Sequence, residues 1–377
     1  MANAVPTRTL ASTGQNARPR PHRSLGNALL HAVLAQDFGN TPDHWHGGAR
    51  VVHFPSIDLA VAAFPSGGGA PRCANVLFSR QHPQGVVGDI GPAAGALRNI
   101  AFVRDLQDAK GNSIAWQAGR DWRQLPWQPL TQRTAGPGTL RFVAPYPASL
   151  LKLMVAVGVG MALDRGLVAD WPAALEPMIV VSDNDATTEL VALLHRWAIV
   201  DSLNARLAEF GLATLQLNNT TPAGGWRNAD GSGVGHIHMT AWDSVRLLWL
   251  LDAEAPPAPW LPATLRSGPL LQPATRAGLR AVLARQQLDE VLSSGALRGQ
   301  PGWLPGLPDA PAFAHKTGTT DNYASDAGIV RSAGAHYIVA VLSSLGRRYA
   351  AGQGCASTWR LPALGAAVHR IVAGLAA

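Results

Sequence analysis

Lysine is almost missing from this 377-residue chain. Of its 31 basic side chains only Lys110, Lys152 and Lys316 are lysines, the rest being arginines. A guanidinium stays protonated near neutral pH, so a proton-accepting role for a basic residue falls to those three or to histidine. Cysteine is scarce too. Cys73 and Cys355 have no metal-ligand partner at short spacing, which argues against a zinc site and leaves either one disulfide or two buried thiols. No apolar run is long enough to cross a bilayer, and the longest, Leu150 to Leu163, contains Lys152. The net charge of +7 comes without an arginine run interleaved with aromatics, so nucleic acid is not an expected partner. The cluster Arg18, Arg20 and Arg23 reads as a solvated tail. The first 25 residues lack an apolar h-region, and no signal peptide is read there as written.

What is present suits a globular protein with a sizeable core: 47% of residues are hydrophobic, and the length allows one large domain plus an appendage, or two domains. Ser24 to Gln36 has a short helical pattern. Asp37 to Gly95 is dense in Gly and Pro, with β-like pieces at Val51 to Phe54 and Ile57 to Phe64 and no assignable function. Asn99 to Leu106 and Ser113 to Ala118 predict a hairpin around an Asp-Ala-Lys-Gly-Asn turn. Helices are predicted over Ser149 to Arg165, Asp185 to Trp197 (with Asp185 as its cap), Thr240 to Leu251 and Pro273 to Leu292. Strands follow at Phe313 to Thr317, Ala324 to Arg331 and Tyr337 to Ser343, and Leu361 to Leu375 closes the chain as a helix. Strands, then helices, then strands and a helix describe an α+β protein with an inserted helical lobe.

Three short motifs carry chemistry. Ser149-Leu150-Leu151-Lys152 opens the first long helix, where a three-residue spacing lets the lysine amine reach the serine hydroxyl. An apolar helix would desolvate Lys152 and lower its pKa, making it a plausible base, and the helix start would offer N–H groups to an oxyanion. The plainer reading is a cap followed by a snorkelling lysine. Ser182-Asp183-Asn184 stands before the second helix, where a serine can relay a proton and an asparagine amide can hold a carbonyl, although these are also ordinary capping residues. His315-Lys316-Thr317-Gly318-Thr319 ends a predicted strand. Its amine and hydroxyls could bind a carboxylate, Gly318 admits a ligand close to the backbone, and the alternative is a strand running into a turn.

The order and placement of the three motifs resemble the penicillin-recognising serine hydrolases, and among them the class A β-lactamases. The segment from Phe313 to Ser343 is the most specific match, with the hairpin before Ser149 and Met239 to Asp243 in support. The resemblance covers about residue 96 to the C-terminus as a hydrolase domain and leaves 1–95 as an N-terminal extension of unknown role. It implies an antiparallel sheet with helices on both faces and an inserted all-helical lobe. It also implies Ser149 as the acylated nucleophile, Lys152 as its base or relay, and Ser182 as proton shuttle. Asn184 would position a substrate amide, and Lys316, Thr317, Gly318 and Thr319 would form the carboxylate site. The backbone N–H groups of Ser149 and Thr319 would make the oxyanion hole. A small β-lactam or peptide substrate, no metal or organic cofactor, and work in the periplasm or outside the cell follow from the same resemblance.

The chain departs from that pattern. The family's water-activating glutamate should lie in Leu217 to Met239, yet the glutamates are Glu176, Glu189, Glu209, Glu254 and Glu290. Asn218 or Asn219 could match the asparagine that accompanies it. Asp230, His236, His238 or Lys152 would have to replace the acid, although the two histidines also read as a β-spaced packing pair. Ser149 and Ser182 lie closer together than is usual, which predicts an open rim. Asp326 stands near a position that is often cationic, and an acid there is expected to disfavour a substrate carboxylate. Slow β-lactam hydrolysis is therefore the leading expectation. The alternatives are a D-alanyl-D-alanine peptidase or esterase with the same site, or a β-lactam-binding protein without turnover.

Overall fold

Eight consecutive residues, Ile57–Phe64 (IDLAVAAF), are all buried, which marks a strand covered on both faces. A computed structural model of the chain describes residues 21–51, 53–103, 106–107, 113–114, 139–218, 220–225, 238–266, 268–294, 312–349 and 360–376. In chain order its main elements are α1 (Pro21–Leu34), β1 (Ile57–Phe64), β2 (Arg72–Phe78), β3 (Val86–Val87), β4 (Ile100–Val103) and β5 (Leu140–Val143). Next come α2 (Lys152–Asp164), α3 (Leu175–Val180), α4 (Asn184–Arg196), α5 (Ile199–Glu209), α6 (Ala241–Leu251), α7 (Ala263–Arg266) and α8 (Pro273–Leu283). The last four are β6 (Ala312–Thr319), β7 (Ala324–Ser332), β8 (Ala335–Ser343) and α9 (Leu361–Ala376).

Six strands form one antiparallel sheet in the order β6-β7-β8-β1-β2-β3. Alternation along each strand divides its side chains between two cores. Leu59 and Val61 of β1 join Val339 and Val341 of β8 under α1 and α9, with Leu25, Leu29, Leu364 and Val368. Ala60 and Ala62 face the other way with Ala327, Ile329, Ile338 and Ala340, against a helical lobe that includes α2, α4 and α6. Small side chains on that face let α6 lie close, and all eleven of its residues are buried. Its charged pair is neutralised within the helix, Arg246 donating to Asp243. At the α6 start, Ala241 N–H donates to buried Asp58 on β1 at 2.8 Å, and burial raises that carboxyl to about 6. The lobe's central helix α2 is apolar all round, as a fully surrounded helix must be. No described helix is long and apolar enough to cross a membrane.

The α+β architecture, with an antiparallel sheet and an inserted helical lobe, follows the expectation. The boundary at residue 95 does not, because β1, β2 and β3 supply half the main sheet and α1 packs on it. Of the predicted hairpin, the described residues show Leu106–Gln107 paired antiparallel with Ser113–Ile114, the rest of its second strand lying outside them, and β4 pairs in parallel with β5. Asp183, rather than Asp185, caps α4 by accepting from Ala186 N–H at 2.7 Å. Helix α8 stops at Leu283, nine residues short of the expected end. There the Gln286 side chain accepts from the N–H groups of Gln287 and Leu288 and donates to Ile179 O, offering the backbone an alternative to another helical turn. Cys73 is buried on β2, its thiol pushed up to about 12, whereas Cys355 lies outside the described residues.

Candidate active site

The two lysines of the motifs meet at one hydroxyl. Lys152 is the first residue of α2 and its side chain is 1% exposed, surrounded by the apolar lobe. Its Nζ donates to Ser182 O at 2.6 Å, Asn184 Oδ1 at 2.8 Å and Ser182 Oγ at 3.1 Å. Lys316 reaches the same Ser182 Oγ at 3.1 Å from β6, and also donates to Thr317 O at 2.9 Å. A hydroxyl has two lone pairs and one proton, so Ser182 can accept from both amines and keep its own hydrogen for a third group. Ser182 adopts a left-handed backbone (φ 60°), an uncommon state for a residue with a Cβ.

Burial depresses both amines. Lys152 falls to about 8, with the Asp183 charge opposing the fall. Lys316 falls to about 7, lowered first by burial and then by the Lys152 charge, against the attraction of Asp326 and Glu290. Two like charges across one hydroxyl favour a state with one amine neutral, so the pair titrates as a unit.

Ser149 sits half-buried on a 3-10 turn, Ala148–Leu151, immediately before α2. The expected Lys152–Ser149 hydrogen bond is not formed, because that amine is directed at Ser182 and Asn184. The Ser149 hydroxyl has no hydrogen bond to any described residue. The turn is held from the sheet: Ser325 on β7 donates to Pro147 O at 2.5 Å and Leu150 N–H donates to the same carbonyl at 3.1 Å. Gly318 on β6 lies directly against it. A Cβ there would stand 2.5 Å from Leu150 N and 2.7 Å from Ser325 Oγ, with Pro147 O closer still. Gly318→Ala should therefore shift the serine turn while leaving the sheet paired. With Ser149 as the acylated residue that the resemblance implies, an acylation rate about 100-fold lower is expected, since a displacement near 1 Å costs on that order. Stopped-flow acylation beside a melting curve checks this, and an unchanged rate would refute it.

The remaining predicted residues divide. Thr317 is buried on β6, and Thr319, at the strand end, donates its hydroxyl to Glu290 Oε1 at 3.1 Å. Asp326 is wholly buried, accepting from Leu292 N–H at 3.1 Å and lying 2.8 Å from His315 Nδ1. The charge expected to repel a substrate at Asp326 is thus tied to the fold. His315 bridges Asp326 and Asp289, its Nε2 2.9 Å from Asp289 Oδ1. Burial would lower its pKa, but the two carboxylates outweigh that and raise it to about 9.

Asp230, His236 and Asn219 lie outside the described residues. His238 pairs with Gln216 through the backbone, and Asn218 accepts from Asn204 of α5. Glu209 is on α5 beside Arg206, in an i,i+3 ion pair. Ser325, Asp289 and Glu290 were not identified from sequence, since each depends on which strands and loops meet. Among the described residues, no group of three or more His, Cys, Asp or Glu side chains is placed to hold a metal ion.

A sequence model described as the beta-lactamase enzyme family matches residues 157–357. That stretch contains Ser182, Asn184 and Lys316 to Thr319 and begins after Ser149 and Lys152. Among solved structures, a β-lactamase from Sphaerobacter thermophilus DSM 20745 is similar at 14% identity and a TM-score of 0.50, covering 93% of this chain and 98% of that one. A β-lactamase from Xanthomonas campestris pv. campestris is 15% identical with a TM-score of 0.48, covering 92% of this chain and 98% of its own. A structure titled PBP-A is 16% identical with a TM-score of 0.48, covering 91% and 95%. A search of curated proteins finds no match.

Proposed function

Because this chain belongs to the beta-lactamase enzyme family, we propose that it is a serine hydrolase that forms an acyl-enzyme on Ser149 with β-lactams and releases it slowly. The observation that carries this reading is the Lys152–Ser182–Lys316 bridge, whose Lys152 lies three residues beyond Ser149, a serine whose hydroxyl is left for substrate. Neutral Lys152, releasing one of its acceptors at Ser182 or Asn184 and turning its lone pair to Ser149, takes the Ser149 proton as Oγ attacks the lactam carbonyl. The ring C–N bond breaks, and Ser182 passes a proton from the lysine pair to the leaving nitrogen. The N–H groups of Ser149 and Thr319 receive the oxyanion. Asn184, its Oδ1 engaged by Lys152, offers its amide N–H to a substrate carbonyl, while Lys316, Thr317 and Thr319 surround the carboxylate site.

Release needs an activated water, and no glutamate lies between Leu217 and Met239. Asp230, His236, His238 or Lys152 could act instead, and the acyl-enzyme should accumulate. The same missing acid favours a second reading, a D-alanyl-D-alanine peptidase or esterase for which β-lactams are slow substrates. The family is typically exported, and the periplasm or the cell exterior is the proposed location. The test is the intact mass of the protein after brief and long exposure to a chromogenic cephalosporin. A persisting adduct is expected, with a colour burst of about one equivalent followed by slow turnover. Rapid hydrolysis without an adduct would exclude slow release, and neither adduct nor colour would exclude β-lactams as substrates.

A further inference from the structure

The segment after α8 presents a carboxylate that the proposed reaction does not use. Gln286 donates to Ile179 O at 2.9 Å and Gln287 N–H to Val180 O at 3.0 Å, tying the segment to residues just ahead of Ser182. On the sheet side, Asp289 meets His315 Nε2 at 2.9 Å and Leu292 N–H donates to Asp326 at 3.1 Å. Between the two sheet-side contacts, Asp289 and Leu292, stands Glu290, whose Oε1 accepts the Thr319 hydroxyl proton at 3.1 Å. This hydroxyl belongs to the site proposed for a substrate carboxylate.

A threonine hydroxyl has one proton to give. While Glu290 holds it, a substrate anion at Thr319 finds an acceptor facing an acceptor. The Glu290 charge also favours the protonated form of Lys316, so the amine already has a counter-ion nearby. An incoming carboxylate must displace that counter-ion or sit beside it, among partly buried groups where like charges are weakly screened. We propose that Glu290 determines specificity at this site, favouring acyl substrates that bring a neutral or cationic group to Thr319 over those that bring a carboxylate. This rests on the acyl-enzyme reading above.

The test compares acylation kcat/KM for a chromogenic cephalosporin and for its neutral methyl ester, in wild type, Glu290→Gln and Glu290→Lys. The acid-to-ester ratio is expected to rise about 10-fold in Glu290→Gln and further in Glu290→Lys. Each ratio is internal to one protein, so partial misfolding of a variant cancels. An unchanged or lowered ratio would overturn the inference. So would an acyl-enzyme that persists much longer in Glu290→Gln at an unchanged ratio, which would make Glu290 the water-activating base. If neither compound acylates any of the three proteins, the acyl-enzyme reading itself fails, and the inference with it.

Discussion

A Ser149→Ala protein is expected to gain no mass from a β-lactam and to hydrolyse it at least about 10⁴-fold more slowly than wild type. The expectation rests on geometry as well as on the motif. Ser149 is half-buried on a turn fixed from outside, by Ser325 on the Pro147 carbonyl and by the close approach of Gly318. Its own hydroxyl makes no hydrogen bond to a described residue, so none of the described contacts depends on it. Removing the hydroxyl should change stability by no more than about 0.5 kcal/mol, as for a side chain with no structural partner. Loss of the adduct with an unchanged melting temperature would separate a lost nucleophile from a lost fold. Retention of the adduct would point to Ser182, the other hydroxyl within reach of Lys152.

The motifs and the elements that carry them were legible because their signals are local. An apolar run from Leu150 to Leu163 predicts α2, and a continuous β-like run predicts β6 with Lys316 near its end. The placement of β1 was not legible. Its own pattern reads as β, but its partner β8 comes from the far end of the chain. Next to this pairing, Ser56 N–H bonds Ser344 Oγ across 288 positions. No periodicity within residues 1–95 reports such a pairing, and the Gly and Pro around it suggest a loose extension.

Asp326 shows the same limit at the scale of one side chain. Its position beside the third motif is plain in the sequence. Which face of β7 it occupies depends on register, and the register sets it opposite Thr317, where it meets His315 and the Leu292 N–H. Glu290 was hidden for a different reason. The helical pattern from Pro273 extends through it, and only the side-chain hydrogen bonds of Gln286 show why the chain leaves the helix and carries that acid to Thr319.

Lys152→Arg is expected to slow acylation by about 10³-fold and to abolish its dependence on pH between 6 and 9. Arginine keeps the charge but not the chemistry, since guanidinium does not release its proton in that range. In wild type the base form of Lys152 grows as pH rises toward about 8, so acylation by an uncharged ester should climb over that interval. A carboxylate substrate also needs Lys316 protonated, and that form declines above about 7. Its profile should therefore be bell-shaped, with both limbs belonging to the coupled pair. The two substrates together discriminate where one would not. If the ester rate does not rise with pH, or if Lys152→Arg retains the rise, Lys152 is not the base and the proton of Ser149 leaves by another route. A Lys152→Met protein controls for packing. It loses the donor to Ser182 and Asn184 but also the cost of a buried ammonium, so its melting temperature should move little while acylation remains as low as in the arginine variant.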